Sequence, residues 1–120
     1  KGKHTIFLTG KIYYDVVAEL KKAKNSNVRI IRVEQLYPFP ESEIRAFLKK
    51  AERSSITWVQ EEPMNQGAYN YMEPKLRAIF GVSPKYIGRP ETAATACGSL
   101  KYSGKEQKEI VKSVVDLALS

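Results

Sequence analysis

The chain has 120 residues, a formal charge of +7, one histidine, one cysteine and 42% hydrophobic side chains. That length sets one domain with enough apolar content for a core. No apolar run approaches the ~20 residues of a membrane span, Cys97 has no partner for an internal disulfide, and His4 with Cys97 cannot supply a zinc-ligand cluster. Lys1-Gly2-Lys3 leads almost directly into a strand without a start methionine, which reads as a domain excised from a longer polypeptide.

Residues 5–9 (Thr-Ile-Phe-Leu-Thr) read as a first strand, broken by Gly10. A helix is expected over residues 11–24, with Ile12, Val16, Ala18 or Glu19, and Leu20 setting an approximate helical period. Asn25-Ser26-Asn27 is a turn cluster, and residues 28–33 form a second strand. The loop from Glu34 to Pro40 is stiffened by two prolines. Glu41 and Glu43 open a second helix, where acids meet the positive end of the macrodipole. Its inner face is Ile44, Phe47, Leu48 and Ala51.

Residues 56–59 (Ile-Thr-Trp-Val) suit a buried third strand. Gln60, Glu61, Glu62 and Pro63 then read as an acidic loop, since proline cannot donate to a ladder. Asn65-Gln66-Gly67 turns the chain into a third helix with Met72, Leu76, Ile79 and Phe80 inside. Pro74 lies within that pattern, so a kink or a late start is expected. Residues 85–88 form a short fourth strand, residues 89–98 a loop, and residues 105–119 a last helix burying Ile110, Val111, Val114, Val115 and Leu117 or Ala118.

Four strand–helix units in succession predict an α/β fold, a parallel sheet in a three-layer α/β/α sandwich with order 2-1-3-4. The second strand then forms an outer edge, open to pairing.

The charge has a structural reading. Lys21, Lys22 and Lys24 close one helix, and Lys49, Lys50 and Arg53 another, where cations oppose the negative end of the macrodipole. Lys105, Lys108 and Lys112 line the outside of the last helix. The competing reading is attraction to nucleic acid, acidic lipid or a phosphorylated ligand.

In order 2-1-3-4 the loops after the first and third strands diverge and leave a crevice at the carboxyl ends. Gly10, Glu61 and Glu62 are expected close together there, with Asn65 at the rim and Lys11 able to reach an acid; Arg32 and Arg89 are the other candidate salt-bridge partners of the acids. Paired carboxylates suit acid–base work or a cationic partner. No histidine or metal-ligand set joins them, so docking is preferred to catalysis. Gly10-Lys11 lacks the rest of a phosphate-loop motif. Tyr13, Tyr14, Tyr37, Phe39, Tyr69 and Tyr71 could stack on bases, but aromatics interleaved with prolines more often pack against a neighbouring domain.

Three stretches point further: Val33-Glu34-Gln35-Leu36-Tyr37-Pro38-Phe39-Pro40, Trp58-Val59-Gln60-Glu61-Glu62-Pro63 and Asn65-Gln66-Gly67-Ala68. Together they resemble the C-terminal domain of the 2-oxoglutarate dehydrogenase family. Gly10-Lys11-Ile12-Tyr13-Tyr14, Gly88-Arg89-Pro90, Gly98-Ser99 and Glu106-Gln107 fall in the same order, while Thr95, Cys97 and Ser103 depart from the family pattern. The resemblance implies a transketolase C-terminal-like domain whose antiparallel edge strand is expected to be missing or partial here. It implies a parent enzyme that uses thiamine diphosphate and magnesium to decarboxylate 2-oxoglutarate and pass the succinyl group to a lipoyl domain in the tricarboxylic acid cycle. No cofactor-binding, catalytic or metal residue is implied in this chain. The implied partners are preceding domains of the same chain, a second copy in a homodimer and a lipoyl-bearing component. The implied compartment is the mitochondrial matrix or the bacterial cytoplasm. Relatives acting on 2-oxoadipate share these motifs. Two other readings stand beside this one: a regulatory module binding a nucleotide or acyl-CoA, and a basic nucleic-acid-binding domain.

Overall fold

The structure, a computed structural model, describes residues 4–23, 27–34, 38–51, 55–89 and 100–119. The expected contributions of Lys24, Asn25, Ser26, Gln35, Leu36, Tyr37, Arg53 and the loop residues 90–98 lie outside these, as do the side chains of Phe47, Leu48, Lys49, Lys50, Ala51 and Lys105.

Among the described residues four strands and four helices alternate: β1 (His4–Leu8), α1 (Ile12–Ala23), β2 (Val28–Arg32), α2 (Glu41–Ala51), β3 (Ser55–Pro63), α3 (Tyr69–Phe80), β4 (Lys85–Arg89) and α4 (Leu100–Leu119). The strands form one sheet in the order β2-β1-β3-β4, every pair parallel. Parallel neighbours need crossovers, and helices supply them on both faces. The result is the expected three-layer α/β/α sandwich, with β2 at one edge.

The sheet divides the core in two. Odd–even alternation along β1 sends Ile6 and Leu8 to one face and Phe7 to the other. On the first face Ile12, Val16 and Leu20 of α1 meet Ile110, Val111, Val114 and Ala118 of α4. On the second, Trp58, Phe7 and Val33 meet Ile44 of α2 and Met72, Leu76 and Ile79 of α3. Each set repeats at three or four residues, so its helix presents one continuous apolar stripe. Full burial of such a side chain contributes about 1.5–3 kcal/mol.

Three boundaries differ from the sequence reading. First, β3 does not end at Val59. It runs through Gln60, Glu61 and Glu62 to Pro63, so the expected acidic loop is strand. The ladder tolerates this because the β3–β4 register shifts between Val59 and Pro63, and pairing resumes with Pro63 opposite Arg89. Met64 N–H then donates to the Arg89 carbonyl at 3.2 Å, beyond the proline. Second, α3 does not start late. It begins at Tyr69 and continues past Pro74. Its far end closes at Gly81, whose φ of 82° lets its N–H bond the Arg77 carbonyl at 2.8 Å. Third, α4 starts at Leu100, five residues before the expected Lys105.

His4 does not resemble a catalytic group. It is buried at the start of β1, with Nδ1 2.7 Å from Ser55 Oγ, at the sheet end opposite the crevice.

Candidate docking site at the carboxyl ends of the strands

The site is built where β1 and β3 end side by side. After Leu8 the chain turns at Gly10, whose φ of 87° is a left-handed conformation that glycine adopts without a steric penalty. Tyr13 N–H bonds back to the Gly10 carbonyl at 3.3 Å and starts α1. A side chain at Gly10 would place its Cβ 3.7 Å from Glu61 Oε2. Gly10 and Glu61 are therefore neighbours across the crevice, as the sequence predicts.

Alternation along β3 explains the direction of Glu61. Val59 packs in the α1–α4 core, and two residues on Glu61 reaches the same face above it. Glu61 is half-buried and Glu62 exposed. Lys11 is exposed and has no ion pair with either acid. Asn65 sits exposed in the turn after β3, and Arg89 ends β4 beside Pro63. The structure brings Gly10 and Glu61 together, and places Glu62, Asn65 and Arg89 on the same edge.

The residue that the sequence reading passed over is Gln60. It is 0% exposed, although it is a polar residue near a strand end. Its Oε1 accepts from Trp58 Nε1 at 2.8 Å and from the Tyr69 N–H at 3.0 Å. Its Nε2 donates to the Pro63 carbonyl at 2.9 Å and the Glu62 carbonyl at 3.1 Å. Every partner matches the polarity of the amide atom facing it, so the orientation is determined. The bonds tie together the strand, its terminal bend and the first residue of α3. They satisfy an N–H at the helix start, where intrahelical partners are lacking.

Two glycines make room for this amide. A Cβ at Gly67 would lie 2.6 Å from Gln60 Nε2. One at Gly88 would lie 2.7 Å from the Gln60 carbonyl oxygen and 2.5 Å from the Tyr86 hydroxyl. The Tyr86 hydroxyl donates to the Arg89 carbonyl at 2.6 Å. Burial is the main cause that pushes its pKa up to about 12, with Glu62 adding to the rise. Tyr69, packed edge-on against Tyr86 at 4.9 Å, is also raised, by burial first and then by Glu73. Only the Gln-then-acid pattern before a proline, with a glycine a few residues later, hinted at this arrangement in the sequence.

The neighbouring strand end carries a cation. The Arg32 guanidinium lies 5.1 Å from the centroids of both Tyr13 and Tyr14. It donates to the Tyr14 hydroxyl at 3.1 Å and approaches Glu34 at 3.8 Å. The tyrosines thus pack on an arginine of their own chain. Phe39 and Tyr71 meet edge to face at 6.5 Å, with the Lys75 ammonium 4.8 Å from the Tyr71 ring.

Among the described residues, no three His, Cys, Asp or Glu side chains converge as metal ligands. Nor is any helix long and apolar enough to cross a membrane. The crevice offers carboxylates and backbone groups on strand ends.

A parallel α/β/α sandwich whose carboxyl edge carries acids beside a strand end bent around a buried amide is thus the kind of protein defined here. Residues 1–115 match the family described as 2-oxoglutarate dehydrogenase C-terminal, and the chain belongs to that family. It is 42% identical over 112 residues to the 2-oxoglutarate dehydrogenase E1 component of Rickettsia typhi, covering 88% of this chain and 12% of the relative. The E1 component of Geobacillus kaustophilus is 39% identical over 116 residues, covering 93% of this chain and 12% of the relative. The mitochondrial 2-oxoglutarate dehydrogenase of Caenorhabditis elegans is 36% identical over 116 residues, covering 93% of this chain and 11% of the relative. The chain therefore spans about an eighth of the length of these relatives.

Proposed function

We propose that this chain is a single C-terminal domain within a larger 2-oxoglutarate dehydrogenase E1 component, and that it works there as an assembly domain. The parent reaction is the decarboxylation of 2-oxoglutarate and transfer of the succinyl group to a lipoyl-bearing component. Thiamine diphosphate with magnesium supplies the electron sink for that reaction when bound. The side chains described here do not fit that cofactor: they form no metal-ligand set and no phosphate-binding motif. No chemical step is assigned to them.

The role of this domain is to dock. Glu61 supports the reading most directly: a half-buried carboxylate, on a strand end against Gly10, with no ion pair to a cation among the described residues. Its partner would be a hydrogen-bond donor or cation on the preceding domains or on the second copy of a homodimer. Gly10, Lys11, Glu62, Asn65 and Arg89 complete the contact surface. The parent would act in the bacterial cytoplasm or the mitochondrial matrix, in keeping with both bacterial and mitochondrial relatives.

The test is Glu61→Lys in the full-length enzyme. Assembly, followed by sedimentation, should weaken by about 2–3 kcal/mol, the cost of leaving a buried donor facing a like charge. Decarboxylation per assembled enzyme should change little. A variant that stays fully assembled while losing decarboxylation alone would assign Glu61 to the chemistry instead.

A further inference from the structure

The outer face of α1 and α4 carries a groove of about 670 Å³. Its floor is apolar, formed by Ala18, Val111 and Val115. The apolar line continues along α4 at the same four-residue spacing to Leu119, which is 63% exposed. The walls carry opposite charges: Asp15 and Glu19 on α1, Lys108 and Lys112 on α4. Among the described residues, neither lysine pairs with a carboxylate, and Asp15 pairs with no cation. Asp15 Oδ2 accepts instead from Gln107 Nε2 at 3.1 Å, which sets the two helices level at those residues. Glu19 pairs with Lys22 of α1 itself, at 3.2 Å. The two walls therefore do not neutralise each other across the floor.

Each strip of the groove rejects a class of occupant. A phosphate backbone or an acidic lipid surface suits the lysines but is repelled by Asp15 and Glu19. A polybasic segment suits the acids but is repelled by Lys108 and Lys112. A purely polar chain leaves the floor uncovered. A second copy of this chain would bring groove to groove and leave two concave floors facing each other without contact. What meets all three strips is one convex element, apolar along its middle, with cations on one edge and acids on the other. The wall charges repeat every four residues, about 6 Å along each helix. A third helix repeats at the same interval, so each of its turns meets the same pattern. Four charged side chains around a small apolar floor make an exchangeable contact, since permanent interfaces are more hydrophobic.

We propose that the α1–α4 groove is a docking site for a single amphipathic helix of a separate protein, its basic edge on Asp15 and Glu19, its acidic edge on Lys108 and Lys112, and its apolar stripe on Ala18, Val111 and Val115. The groove lies on a helical face rather than at the strand ends, so it does not depend on the crevice around Glu61.

The experiment measures fluorescence anisotropy of a labelled synthetic helix, about four turns long, titrated with the full-length enzyme. The probe carries a leucine stripe, lysines along one edge and glutamates along the other. A control of the same composition has both charges mixed on both edges. The expected result is saturable binding of the probe that weakens as salt rises, with the control bound about tenfold less tightly. Asp15→Lys with Glu19→Lys should weaken the probe about tenfold or more. The same variant should gain affinity for a third peptide with glutamates on both edges, because both walls are then cationic; a misfolded variant could not show that gain. Absence of saturable binding to the full-length enzyme, equal binding of probe and control, or binding indifferent to the two reversals would each overturn the proposal. So would a double reversal that changes the sedimentation of the enzyme alone, which would give the groove to a second copy.

Discussion

The two faces of the sheet are filled by different means. The α1–α4 side is aliphatic: its buried members are isoleucine, leucine, valine and alanine. The α2–α3 side is aromatic, centred on Phe7 and Trp58, with the buried Gln60 at its upper end. Aliphatic layers tolerate many arrangements of similar volume. An aromatic layer with a fully bonded amide accepts few, because each donor left without an acceptor is penalised. The first side supplies burial. The second fixes where β3 ends and α3 begins, and so where the acids of the crevice stand.

The largest expected difference between the sides comes from Gln60→Leu, which keeps volume and removes the amide. Trp58 Nε1 and the Tyr69 N–H lose their acceptor inside the protein. Each unmet donor costs about 1–3 kcal/mol, so a loss near 3 kcal/mol is expected. A volume-conserving swap on the aliphatic side, such as Leu8→Met, should cost under about 1.5 kcal/mol. Urea denaturation followed by Trp58 fluorescence compares them directly. Equal losses would remove the distinction between the two faces.

Next comes Gly88→Ala, expected to cost about 2 kcal/mol by overpacking. The added methyl would meet the Gln60 carbonyl oxygen at 2.7 Å, and backbone cannot swing aside as a side chain does. A loss below about 0.5 kcal/mol, measured in the same way, would show that the β3–β4 pair adjusts freely there.

These positions also mark where the sequence was legible and where it was not. Strand order and both helix stripes were readable, because alternation in strands and the three-to-four spacing in helices are local patterns. Ile12, Val16 and Leu20 needed no tertiary knowledge. The closeness of Gly10 to Glu61 followed from topology alone. The extension of β3 did not. Two acids and a proline argue against strand at every local level, and only the register shift beside β4 makes the extension tolerable. Gln60 was hidden for the same reason: its bonds to Pro63 and to Tyr69, nine residues away, exist only once the bend has formed.

A smaller contrast separates the two left-handed glycines. Gly10→Ala and Gly81→Ala both force alanine into positive φ, at 87° and 82°, and each should cost about 1 kcal/mol. A methyl at Gly81 meets nothing within 4 Å, so its cost is backbone strain alone. At Gly10 the methyl meets Glu61 Oε2 at ordinary contact distance. The two variants should therefore agree within about 0.5 kcal/mol in thermal unfolding of this chain. A markedly larger loss at Gly10 would mean that Glu61 is held more tightly than its half-burial suggests.

The smallest effect is confined to alkaline pH. In the folded chain burial raises the Tyr86 pKa from 10.0 to about 12, while in the unfolded chain it titrates near 10. Below pH 10 both states keep the proton, and the contribution to stability is whole. Between pH 10 and 12 the unfolded state releases its proton first, so rising pH favours unfolding and the contribution is lost. Tyr86→Phe removes the titration together with the bond to the Arg89 carbonyl. The variant should start less stable at neutral pH, by about 1 kcal/mol for one hydrogen bond, and should then lose less than the parent between pH 10 and 12. Because the ring is partly exposed, solvent screens the alkaline difference, and it should be smaller than the neutral one. Urea titrations of the two proteins at pH 8, 10 and 11.5 measure it. Parallel losses across that range would show that the Tyr86 hydroxyl ionises as freely in the folded chain as in the unfolded one. Its place between Gly88 and the Arg89 carbonyl would then not seal the aromatic side of the sheet against water.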